Sequence, residues 1–329
     1  MLPRFVTRSV AHGVSPASVA HASYTLFNEA QDITLSVASV AGAGVVRGAF
    51  ESNRRAELPT YRRASGGRSA RLTDGSMYCA FFLPRPEQAA PDVNAGNLLN
   101  RLLRPLLKAL SGMGALAHYF GRDWVAIDKR PAVTVAFAHE RNTGRTLIEA
   151  FLGVSSSVAV DPEHVSYLGK QPDSIERLAR RPLDLEELTK RIVHAYAVAY
   201  HFEWRDQAWP SGAATELERE PAWQSTVSEP IGLVGARRDE QGTLHLGGEL
   251  MMSHDVLRGL TEWLGSARGE SEIDEALRAC LGGDEVAMFG LRDASSLKHL
   301  VLSLPVTNEY NVTCGAQRSP HTEANPKGE

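Results

Sequence analysis

Cysteine is scarce in this chain. Its 329 residues hold three, Cys79, Cys280 and Cys314. They lie far apart without Cys-x-x-Cys spacing, which points away from a zinc site or a disulfide scaffold and towards a reducing, cytoplasmic setting. No apolar run approaches the ~20 residues needed to cross a bilayer, so no membrane partner is expected. Positive charge is not in excess: 35 basic against 39 acidic residues give a net charge of -4, which argues against a globally electrostatic nucleic-acid binder. There is no internal repeat, low-complexity tract or secretory h-region. Acidic residues are missing before Glu29 while Arg4 and Arg8 are present, a transit-peptide bias. Ser15 followed by Pro16 favours a folded start instead, since serine caps a helix and proline suits its first position.

What is present is ample core material, 43% hydrophobic residues, in a chain long enough for two domains. Residues 72–83, LTDGSMYCAFFL, read as a buried strand ended by Pro84 and Pro86, with Cys79 as a small buried hydrophobe. Leucines at 98, 99, 102, 103, 106, 107 and 110 share one helical face, and Pro105 is expected to kink that helix or begin a second one. Residues 120–138 read as two short strands joined near Asp128 to Pro131. Asp184 and Glu187 form a variant capping box. Leu185, Leu188, Ile192, Tyr196 and Ala199 then stripe a helix of about five turns. His194 and His201 on it are seven apart, without metal-binding spacing, and read as solvated or packed.

From Arg205 to Pro230 the chain turns polar and irregular, the mark of a linker. Beyond it a hairpin is expected around Asp239 to Gly242, then helices near 254–264 and 272–281 capped by Ser253 and Ser271, a strand at 286–290 and a helix from Asp293. Residues 305–329, with Pro320, Pro326 and the sequon at Asn311, read as a disordered tail.

The densest chemical signal is Tyr61-Arg62-Arg63-Ala64-Ser65-Gly66-Gly67-Arg68. Arg54, Arg55, Arg62, Arg63, Arg68 and Arg71 fall within eighteen residues against one acid, Glu57. Glycine lets backbone N–H groups approach an anion, and guanidinium groups grip phosphate or carboxylate oxygens bidentately. Two plainer readings stand beside that one: a chance kinase-type Arg-Arg-Ala-Ser, or a glycine turn between strands.

The order of RRASGG at 62–67, GRD at 121–123 and RTLI at 145–148 resembles the catalytic domain of the biotin and lipoate protein ligases, in particular lipoate–protein ligase A. The resemblance spans most of residues 15–205, and FGLRD at 289–293 resembles the end of that family's accessory module. It implies an α+β fold, a mixed β-sheet flanked by helices of class II synthetase type, with a smaller α+β accessory domain. The implied division is a catalytic domain at 1–205, a linker at 206–230, an accessory domain at 231–304 and the tail. It also implies ATP and Mg2+, a lipoate-like carboxylic acid and a lipoyl-type carrier domain. An acyl-adenylate would form and a carrier lysine would then take the acyl group.

Carried over residue by residue, Arg62, Arg63, Ser65, Gly66, Gly67 and Arg68 would hold the adenylate and acid, and Thr146 and Leu147 would line that pocket. Asp123 or Asp128 would hold magnesium. Ungapped alignment puts Pro131 where the family has its lysine, so Lys129 is assigned that role. Trp124 replaces a family Asp, Arg68 a third glycine, and Leu72-Thr73 a His-Asp pair. These departures keep a catalytically impaired, binding homologue as an alternative. A non-ATP acyl transferase stands further off, because residues 149–169 contain no cysteine.

Overall fold

The computed structural model describes residues 4–52, 57–267, 269–283 and 286–304. The tail from 305, with Asn311 and Cys314, and the arginines at 54 and 55 lie outside these residues.

The chain opens with strand β1 (Arg4–Val14), where the sequence had suggested only a leader or an entry to a helix. Helix α1 (Pro16–Asn28) follows as expected: the Ser15 side chain accepts from Ser18 N–H and Pro16 takes the first position. Strands β2 (Thr34–Val40), β3 (Gly44–Arg47), β4 (Thr60–Arg62), β5 (Ala70–Leu72) and β6 (Ser76–Leu83) come next, then α2 (Ala95–Gly112), β7 (Ala117–Tyr119), β8 (Trp124–Ile127), β9 (Arg130–His139) and β10 (Thr146–Gly153). Helices α3 (Ile175–Ala179) and α4 (Leu185–Tyr200) precede β11 (Phe202–Asp206). The remainder holds β12 (Ser225–Glu229), β13 (Gly232–Arg238), β14 (Leu244–Gly248), β15 (Met251–Met252), α5 (His254–Ser266), α6 (Glu270–Leu281), β16 (Met288–Phe289) and α7 (Ser295–Leu302).

Eight strands form one mixed sheet in the order β11-β1-β2-β6-β10-β9-β8-β7. The β11, β1 and β2 neighbours run parallel and the rest antiparallel. Central β6 and β10 are buried along their whole length, the pattern of strands covered on both faces. One face carries Leu35, Val37, Phe81, Ile148 and Val133 against α2 and α4, in one apolar cluster that continues into residues 231–304, the second unit. The other carries Tyr78, Phe82, Ala136, Leu147 and Phe151 against α1 and the small β4-β3-β5 sheet.

Several expectations are modified. The run 72–83 is cut by a turn at 73–75 into β5 and β6. Pro105 neither ends nor divides α2. Proline cannot donate to the carbonyl four residues back, and the Tyr200 hydroxyl donates to that carbonyl, Arg101 O, at 3.3 Å. Ala199 is exposed rather than part of the α4 stripe, and His194 is exposed too. Gly269, not Ser271, precedes α6, and Ser253 accepts from Ala287 N–H instead of capping α5.

The segment expected to be a linker holds β12 and, before it, an extended strap fastened to the first unit. Gln207 N–H donates to Arg8 O, Ala214 N–H to Ala17 O and Leu217 N–H to Thr60 O. The Trp209 indole donates to Ser18 and stands edge-on to Tyr78. Polarity and prolines marked the absence of regular structure but not the absence of packing.

Candidate functional site

The arginine loop completes a sheet edge. Strand β8 pairs with β9 only as far as Thr134; beyond it Gly66 N–H donates to Phe137 O at 2.9 Å. Gly67, at φ 93°, donates its N–H to Leu250 O at 2.7 Å. Leu250 lies in the short turn between β14 and β15, and a Cβ on Gly66 would collide with its carbonyl. The amides expected to cradle an anion are thus bound to two carbonyl oxygens, one from a turn remote in sequence.

Both leading arginines are turned inwards. Arg63 is 0% exposed and donates to Val46 O, Gly66 O, Gly67 O and Arg68 O, all within 3.0 Å, and through Nε to the Ser65 hydroxyl at 2.8 Å. Its guanidinium lies 3.9 Å from Glu149, to which Ser65 and Tyr78 also donate. Glu149 is itself 0% exposed; burial, then this carboxylate, hold the Tyr78 phenol well above its usual pKa. Arg62 donates to Gly48 O, Ala49 O and Glu51 O and pairs with Glu220 of the strap. These two side chains tie the loop together.

Arg68 differs. It pairs with Asp123 at 2.5 Å, donates to the Ser166 hydroxyl and stacks 4.0 Å from the Tyr167 ring centroid, yet its Nε and Nη1 have no hydrogen-bond partner. Neither Asp123 oxygen has a well-aligned donor. Burial pushes the Asp123 carboxyl up, against the pull of Arg68 and His164. Ser166 N–H donates to His164 Nδ1, which leaves Nε2 to donate to Glu249 at 2.7 Å. Glu249 also accepts from Leu233 N–H, so this chain of contacts crosses to the second unit. A cavity of about 280 Å³ adjoins it, lined by Gly121, Arg122, Asp123, Ile231 and Gly290 among others.

The remaining expected site residues disperse. Lys129 and Asp128 sit exposed in the β8–β9 turn, both at positive φ. Lys129 immediately precedes β9, whose Arg130 is seven residues from Phe137, about 23 Å at the usual rise. The structure does not bring it to the arginine loop. Asp128 lies about 16 Å along β8 from Asp123 by the same measure, so the two cannot share a magnesium ion. Among the described residues no cluster of three His, Cys, Asp or Glu suits a metal, and Asp123 already faces a guanidinium. Leu147 packs on the arginine-loop face, whereas Thr146 points to the opposite one, beside His139. Cys79 is buried, its thiol pushed up to about 12 by burial.

Sequence reasoning missed Lys170, whose ammonium lies 5.6 Å from the Trp124 ring centroid. Trp124 pairs with Thr134, which alternates with Ala136 and Ala138 on the arginine-loop face, and its indole donates to Ser166 O. Lys170 therefore reaches that face from the segment after β10, where no motif marks it. Among the described residues it has no ion-pair partner.

No family model and no curated protein matches this sequence. Solved structures do. LipL1 of P. falciparum, in complex with lipoate, aligns with 91% of this chain and 98% of its own at a TM-score of 0.58 and 10% identity. The fold is that of the biotin and lipoate protein ligases. Similar in part are a bi-partite lipoate protein ligase from Thermoplasma acidophilum, at 0.43, 15% identity, 61% of this chain and 87% of its own, and a biotin protein ligase from Aquifex aeolicus in complex with biotin and ATP, at 0.36, 12%, 60% and 70%. The ligase fold of this chain is consistent with its element order and with the mixed sheet. No described helix is long and apolar enough to cross a membrane.

Proposed function

We propose that this chain is an acid–protein ligase of the lipoate type whose site is closed by its own second unit. One observation carries the reading: Gly67 N–H donates to Leu250 O at 2.7 Å. A carbonyl oxygen from the turn between β14 and β15 occupies the place where an anionic oxygen would bind. When that turn lifts, the exposed amide regains an acceptor from a phosphate or carboxylate, as backbone nests do. ATP and a lipoate-like acid would then enter, with the acid attacking the α-phosphate and pyrophosphate leaving, and a carrier-domain lysine amine would then attack the acyl carbon and expel AMP. Arg68, with two unused donors, would meet the developing phosphate charge, and Lys170 would supply the cation once assigned to Lys129. Arg62 and Arg63 would shape the loop without touching the ligand.

A second reading, a binder that forms no adenylate, is favoured by the distance of Lys129 and by the internal use of Arg62 and Arg63. Pyrophosphate release from ATP, measured with lipoate, octanoate and biotin in turn, separates the two. Acid-dependent release that is lost in Lys170→Ala supports the ligase. Calorimetric binding of a non-hydrolysable lipoyl-adenylate analogue without release supports the binder, and failure of both overturns both.

A further inference from the structure

Ser9 and Ser36 are register partners in the parallel β1–β2 pair. They are 2% and 0% exposed, and neither hydroxyl has a hydrogen-bond partner. Leu35 and Val37 point into the core under α2 and α4, so Ser36 leaves the sheet on the α1 face. Two adjacent buried hydroxyls without partners are unusual in a native interior, where buried polar atoms are paired with protein, water or a ligand. Alanine would serve the packing equally well.

A cavity of about 240 Å³ opens over them. Thr34, Thr25 and Glu29 contribute to its walls, and Pro210 of the strap helps to cover it. Its polar lining is made of hydroxyls, which accept as well as donate, the Gln207 amide and the Glu29 carboxylate. Glu29 is the one charged residue in the lining, and α1 ends there, with the partial negative charge of a helix C-terminus. Arg145 binds the carbonyls of Phe27 and Ala30 nearby but does not line the cavity. The cavity shares no lining residue with the arginine loop or with the Arg68–Asp123 cluster.

We propose that this cavity binds a small organic ammonium ion. The N–H groups of R–NH3+ would donate to the Ser9 and Ser36 hydroxyls at the closed end, and Glu29 would balance the charge at the rim. An anion would meet Glu29 and the helix end, and a neutral alcohol would gain nothing from the charge of that carboxylate. The volume restricts the ligand to something smaller than a drug-sized molecule.

Three probes of one shape but different heads test this on the full chain: propylamine as its ammonium ion, 1-propanol and propionate, by saturation-transfer NMR and calorimetry at pH 7. Propylammonium should bind and the other two should not. Glu29→Gln, at an exposed position that leaves the fold alone, should weaken it by about tenfold, as expected for loss of a charge-assisted contact. Ser9→Ala combined with Ser36→Ala should abolish it. Binding of 1-propanol equal to that of the amine, tighter binding of propionate, no change in Glu29→Gln, or no binding of any probe would each overturn the assignment.

Discussion

Two buried polar clusters lie around the arginine loop and are built in opposite ways. Around Arg63, Ser65, Tyr78 and Glu149 the Arg63 guanidinium, both hydroxyls and both carboxylate oxygens have partners, and the cluster is shut from solvent. Around Arg68 and Asp123 the charges meet, but two guanidinium nitrogens and both carboxylate oxygens lack aligned partners, and a cavity adjoins them. A saturated buried network fixes a structure, whereas an unsaturated one beside a cavity retains donors for something else. Four measurements can break or sharpen that contrast.

The largest effect is expected in the saturated cluster. Replacing Arg63→Met together with Glu149→Leu strands the Ser65 and Tyr78 hydroxyls and the carbonyls that Arg63 holds. This should cost about 3–5 kcal/mol, since each buried polar group left unsatisfied costs about 1–3 kcal/mol, read from urea unfolding. A loss below about 1 kcal/mol would show that saturation carries no stability here.

Gly66→Ala should come next. Its new methyl would meet the Leu250 carbonyl and the Phe50 ring, and overpacking of this kind costs about 1–3 kcal/mol. It should also unseat the loop between β14 and β15. Proteolysis should then cut that loop faster, and unchanged protection would mean that the loop does not rest on Gly66.

The third effect depends on pH. His254, packed between Phe27 and Phe50, has its pKa lowered to about 4, chiefly by burial. Asp255 opposes that shift, while Arg258 and the neighbouring His139, itself lowered by burial, add to it. The unfolded imidazole takes its proton first, so stability that is full above pH ~6.5 is lost as pH falls towards 4. Between pH 7 and 5.5 the loss should be about 1 kcal/mol. His254→Phe should flatten that slope, and an unchanged slope would assign it to other groups.

The smallest effect closes the comparison. Arg68→Met with Asp123→Leu should change stability by less than about 1 kcal/mol, since a poorly satisfied buried ion pair is replaceable by apolar groups of similar size. The same pair of changes should remove binding of the adenylate analogue. A loss as large as that of the Arg63–Glu149 double variant would place both clusters in the same structural role.

Local signals were legible wherever one periodicity or one cap decides the outcome. The leucine face of α2, the Asp184 cap of α4, which accepts from Glu186 and Glu187 N–H, and the Ser15-Pro16 start of α1 are contacts within four residues. The loop Arg62 to Arg68 was also conspicuous in sequence. The strap was not, because its fastening to Arg8, Ala17 and Thr60 comes from partners more than a hundred residues away.

The sequence by itself therefore determined where α1, α4 and α5 begin, which strands are buried and where positive charge gathers. Only the tertiary structure decided what that charge does. Arg63 and Arg68 are alike as sequence, but the first meets Glu149 and four carbonyls while the second meets Asp123 with donors to spare. Lys129, assigned to the site from sequence, lies at a turn tip, while Lys170, which no motif marks, lies over Trp124. The physical reason is that a donor's availability depends on which acceptors the folded chain brings to it, and most of these acceptors are remote in sequence.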